Sequence, residues 1–125
     1  MSGPQSIEGA FEWAGMHVPE LATDIRYAGE AGIDSIVYLQ FALPNLDAAR
    51  SLLAPYGCTL QPIQRRRDNP FRLENAGAPP WWVSDAPDGA WACRAEATTS
   101  DPLYRFVRVD PQNARVRVQM TANTQ

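Results

Sequence analysis

Apolar and polar positions alternate along several stretches of this chain, and the alternation predicts most of its elements. In residues 23–28, Thr23, Ile25 and Tyr27 fall on one side and Asp24 and Arg26 on the other, the pattern of a half-buried strand. Residues 29–34 hold two glycines, Glu30 and Asp34, a loop signature. Residues 35–43 are rich in β-branched and aromatic side chains (Ile36, Val37, Tyr38, Leu39, Phe41, Leu43), which predicts a strand paired with the first as an antiparallel hairpin. Pro44 closes it, and Asn45 is a suitable N-cap. Leu46, Ala49, Leu52, Leu53 and Tyr56 then recur at helical spacing. Pro55 should distort the last turn of that helix, and Gly57 should end it.

Residues 58–63 alternate weakly and predict a short strand. Residues 64–89 lose periodicity altogether: they carry Arg65, Arg66, Arg67, Arg72 and four prolines, and predict a long ordered loop. Alternation returns at 90–97, at 103–109 and at 115–120, with a turn expected over Asp110-Pro111-Gln112-Asn113. These three strands form a meander. At the start, residues 1–9 read as a loose lead, and 11–18 (Phe11, Trp13, Met16, Val18) are apolar but fit neither the helical nor the strand period. The sum is an α+β fold: an antiparallel sheet of about five strands in two layers, with one helix on one face. At 125 residues it is a single domain.

Charge adds an asymmetry that the pattern does not show. The net charge is −3, and all eleven cationic side chains are arginine. Residues 1–62 hold seven acids and two arginines, whereas residues 63–125 hold seven acids and nine arginines. An acidic domain of this kind is not a nucleic-acid binder, since such proteins carry a positive excess. No apolar run approaches the ~18 to 20 residues of a membrane span. The missing lysines fit the codon bias of a GC-rich bacterial genome; the competing reading is that some arginines are there for their planar fork.

Chemistry-bearing motifs are few. There is no nucleophile elbow, phosphate loop, dinucleotide fingerprint or paired-histidine metal motif, and no cofactor or metal is expected. The one histidine, His17, has no partner visible in the sequence; with Asp24 and Asp34 it would be the first candidate for any catalysis. Cys58 and Cys93 leave two readings open. They are either two buried thiols or one disulfide joining the helix exit to the meander, which would imply an oxidising compartment. The candidate contact residues are Arg65, Arg66, Arg67 and Arg72, with Trp81 and Trp82 in the proline-stiffened Pro79-Pro80-Trp81-Trp82 segment, and Glu30 and Asp34 in the hairpin loop. Adjacent tryptophans cannot easily both bury by one period: either both cap the core beneath the long loop, or one plugs the core while the other faces solvent as a binding anchor.

Thr23-Asp24-Ile25-Arg26-Tyr27, then Ile36 to Phe41 ending in Leu43-Pro44, the paired tryptophans, and Tyr104-Arg105-Phe106-Val107-Arg108-Val109-Asp110 together resemble small proteins of GC-rich bacteria, many of them exported or lipid-anchored. The resemblance spans residues 20–120. It implies an extracytoplasmic binding protein more than an enzyme, in the periplasm or cell envelope, with an export signal or lipid anchor carried on a precursor; residues 1–9 lack signal-peptide features, and a cytoplasmic protein is the alternative. The leading expectation is a protein-binding module, most concretely a toxin-neutralising immunity protein acting by occlusion. An envelope protein binding a small ligand or glycan through Trp81 and Trp82 is the alternative, and an enzyme the third reading.

Overall fold

The computed structural model describes residues 4–30, 36–71 and 78–124. Its chain order is α1 (Ile7–Trp13), β1 (Thr23–Glu30), β2 (Ile36–Leu43), α2 (Leu46–Leu53), β3 (Gln61–Pro62), β4 (Trp91–Ala95), β5 (Tyr104–Gln112) and β6 (Arg115–Asn123). The strands form one antiparallel sheet in the order β1-β2-β6-β5-β4-β3. The hairpin and the meander are therefore both present. What joins them is the long pairing of β2 with β6, from Ile36 opposite Asn123 to Leu43 opposite Val116.

The first helix corrects the expectation of a loose lead. Ser6 caps it, its Oγ accepting from the Gly9 N–H at 2.9 Å, and Glu8 sits in the first turn, where the helix dipole favours it. Ile7, Ala10, Phe11 and Ala14 make one stripe, and Phe11 stacks obliquely on Phe41 at 5.4 Å. Two of the four stripe positions are alanine, so a search for large apolar residues misses the period. The second helix follows its sequence: Asn45 Oδ1 accepts from the Ala48 N–H at 2.8 Å. The α-helix gives way to a 3-10 turn over Ala54–Tyr56 at Pro55, and Gly57 ends it at φ 70°.

The expected turn at Asp110-Pro111-Gln112-Asn113 is displaced. Residues 110–112 continue β5, and the reversal is made by Asn113 and Ala114, the latter at φ 60°. Asp110 stays in the ladder because its carboxylate is buried against two arginines. Pro111 is tolerated because β4 ends at Trp91, opposite Val109, which leaves that side of β5 open where no N–H is needed.

Both helices and the side chains of Val37, Leu39, Phe41, Val107, Val109, Val118 and Met120 build the main core on one face of the sheet. The Cys58–Cys93 disulfide, with Cα atoms 5.4 Å apart, ties the exit of α2 to β4 beside it. This decides between the two cysteine readings. The other face is not left to solvent, as a two-layer fold with one covered face would have it. The described parts of the loop, 64–71 and 78–89, lie over it. There Phe71 and Trp82 join Tyr38 in a second, smaller core.

Candidate functional site

The loop is held to the sheet by a buried polar cluster. Arg108 is fully buried, and all five of its N–H groups are used. Nε and Nη2 grip Asp110 Oδ1 and Oδ2 at 2.7 and 2.9 Å. Nη2 also donates to the Val83 carbonyl at 2.9 Å, and Nη1 to the Ser84 carbonyl and Asn69 Oδ1 at 2.9 and 3.2 Å. Its guanidinium lies 5.7 Å from the Phe71 ring centre. Gln119 repeats the arrangement one strand over: its amide donates to the Val83 carbonyl and accepts from the Val83 N–H, at 2.8 and 3.0 Å, much as a neighbouring strand would. Gln40 in turn donates to Gln119 Oε1 at 2.7 Å.

This cluster sets the place of the three adjacent arginines. Arg66–Asp68 form a 3-10 turn in which Asp68 Oδ2 accepts from the Arg65 N–H at 3.0 Å. The next residue, Asn69, is buried; its Nδ2 donates to the Ser84 carbonyl at 2.8 Å, and its Oδ1 accepts from Arg108. The turn is therefore fixed from beneath. Arg65 lies 3.9 Å from Asp68, whereas Arg66 and Arg67 are exposed and form no ion pair with any described residue.

Open grooves flank this ridge. One, of about 470 Å³, runs between Arg65 and Arg66 on one side and Asp85, Asp88 and Gly89 on the other. A second, of about 360 Å³, lies between Arg67 and Pro70 and the strand residues Ala92, Arg94 and Phe106. Since β3 pairs only with Trp91 and Ala92, no described strand covers the outer side of β4 at Arg94 and Ala95. The result is a cationic ridge anchored through Asn69 beside an edge of β4 that no described strand covers, with carboxylates in one groove and Phe106 in the other.

The remaining sequence candidates are dispersed. Trp82 is buried in the second core, edge-on to Tyr38 and Phe71 at 5.2 and 4.8 Å, and its indole N–H finds no partner among the described residues. Trp81 is half-buried and edge-on to Trp82 at 6.0 Å. The pair is thus one plug and one partly exposed ring rather than a two-ring platform. Arg72 and Asp34 lie outside the described residues, as does the side chain of Glu30. His17 is exposed on the coil after α1 and bonds to no described residue, while Asp24 is paired with Arg115 at 2.7 Å. No group of three or more metal-ligating side chains occurs among the described residues.

Sequence reasoning missed Arg108 and Asp110. Both fall on the polar phase of a strand that alternates, which reads as a solvent face. The available signal was the length of the preceding loop, which has to lie on something. In comparisons with known proteins, no family model, no curated protein and no solved structure matches the chain.

Proposed function

We propose that this protein is a non-enzymatic binding module that docks a partner protein on the Arg66–Arg67 ridge, most concretely an immunity protein that neutralises a toxin by covering its working surface. The observation that carries this reading is the pair of exposed arginines without a carboxylate partner among the described residues, held on a turn anchored to a buried cluster. A rigid anchor loses little conformational entropy on binding, and unpaired guanidinium groups select acidic partners and speed their approach. The Cys58–Cys93 disulfide supports placing the protein in an oxidising compartment such as the periplasm or cell envelope.

Co-expression with the toxic product of a gene adjacent to its own is the direct test. Protection is expected, together with a complex at micromolar concentration. Double charge reversal, Arg66→Glu with Arg67→Glu, is expected to weaken that complex by at least roughly tenfold without altering the fold. Absence of both protection and complex counts against the reading.

A further inference from the structure

Another concave site lies toward the β1 side of the sheet, on the same face as the loop but away from the arginine ridge. It is a cleft of about 300 Å³ whose lining includes Arg26, Arg115 and Arg117 together with Asp24, Gln40 and Gln112. The strand order brings these residues together: Arg26 of β1 stands opposite Gln40 of β2, Arg117 of β6 opposite Ala42 of β2 and Asp110 of β5, and Arg115 opposite Gln112.

Positive charge is in excess here, in a protein whose net charge is −3. Asp110 is shared by Arg108 and Arg117. Arg117 uses Nε and Nη2 on it, at 3.2 and 2.8 Å, while its Nη1 bonds to no described residue. Arg26 is exposed and pairs with no described carboxylate. Arg115 is held by Asp24 alone, at 2.7 Å. Three guanidinium groups therefore share two carboxylates, and that of Arg26 has none among the described residues.

The placement of Asp24 is a second, independent observation. Between Thr23, opposite Ala42, and Arg26, opposite Gln40, β1 carries one residue too many for its partner. Asp24 sits in this bulge at φ 52°, a conformation that β-branched and bulky residues avoid. The bulge coincides with the contact that sets a carboxylate on Arg115. The cleft thus already contains one oxyanion, supplied by the chain itself.

We propose that this cleft binds a small multivalent oxyanion, either a phosphate or a compact polycarboxylate, which replaces the Asp24 carboxylate on Arg115 and is held also by Arg26 and the free edge of Arg117. Planar guanidinium groups meet such oxygens in pairs, and the carboxamide of Gln112 supplies a neutral donor at the rim. The volume lies at the lower end for ligand sites, which suits one compact anion. The site is separate from the Arg66–Arg67 ridge and does not depend on the docking reading.

The test is calorimetric titration at low ionic strength with inorganic phosphate and, separately, with citrate. One equivalent of at least one probe is expected to bind, and the tighter of the two identifies the ligand class. Arg26→Gln should weaken that binding by roughly tenfold, the worth of one charge-assisted contact. Asp24→Asn keeps a residue that accepts positive φ and removes the competing carboxylate, so it should bind the probe more tightly than the wild type. Arg66→Gln with Arg67→Gln should leave the affinity unchanged. The proposal is overturned if neither probe binds, if Arg26→Gln binds as well as the wild type, if Asp24→Asn binds no tighter, or if the Arg66/Arg67 variant loses binding.

Discussion

Arg108 and Asp110, two positions apart on one strand, meet through a two-point contact with no solvent exposure on either side chain. The pair does more than balance charge, because the remaining guanidinium hydrogens reach across to the main chain of the loop at Val83 and Ser84. A buried ion pair is weak evidence of net stabilisation, but breaking one is costly.

Arg108→Lys is therefore expected to be far from conservative. An ammonium group has three donors and no fork, so it cannot satisfy Asp110, Asn69 and two carbonyls together. Leaving one or two of these unsatisfied should cost about 2 to 4 kcal/mol. Urea unfolding measures it, and a loss of less than about 0.5 kcal/mol would show that the cluster is not what holds the loop.

The disulfide has its own signature. It spans 35 positions between Cys58 and Cys93, for which the chain-entropy model gives about 3 to 4 kcal/mol. The Cys58→Ala/Cys93→Ala variant should lose stability of that order. Unfolded wild-type protein should show no free thiol until reductant is added.

Two glycines separate strain from crowding. Gly15 and Gly57 both have positive φ, 72° and 70°. A Cβ at Gly57 would meet nothing within 4 Å, whereas one at Gly15 would fall 2.5 Å from Arg105 Nη2. Gly57→Ala should cost about 1 kcal/mol, from backbone strain alone. Gly15→Ala should cost clearly more, because it must also displace the guanidinium that donates from Nε to the Ala14 carbonyl at 2.9 Å and stacks over Tyr56 at 4.6 Å. Equal losses in paired thermal melts would contradict this.

Arg105 also predicts a pH dependence. Its Nη1 donates to Asp101 at 2.7 Å, and this bond above all, with help from the Leu103 N–H, holds the Asp101 carboxyl below its ordinary value of 3.8 against the opposing effect of burial. A carboxyl depressed on folding adds stability that is complete above its unfolded pKa and is lost as pH falls through the folded one. Stability should therefore decline below pH 3.8, and Asp101→Asn should flatten that part of the curve. An unchanged acid limb in denaturant titrations from neutral to low pH would remove Asp101 as a contributor.

The strands were legible by two signals: alternation of apolar and polar positions, as in residues 115–120, and the run of β-branched and aromatic side chains in residues 35–43, whose strand is buried on both faces. The second helix was legible because Asn45, Pro55 and Gly57 punctuate it. Three things were not. The stripe of α1 is half alanine. The covered polar face of β5 looks like a solvent face until something lies on it. The cleft of Arg26, Arg115 and Arg117 draws on residues about ninety positions apart and exists only because β2 pairs with β6. Of the candidate contacts, the adjacent arginines could be named from composition alone. That Arg66 and Arg67 project while Trp82 turns inward depended on Asn69 and on the second core.

The clamp over the loop grips peptide groups: the carbonyls of Val83 and Ser84 and the Val83 N–H are its main partners. Peptide groups are the same whatever residue carries them. The exposed positions at 84 and 85 can therefore change identity over evolutionary time without loosening the attachment, so long as Arg108, Asp110 and Gln119 are kept. The fold thus separates the fastening of the loop from the side chains that it turns to solvent.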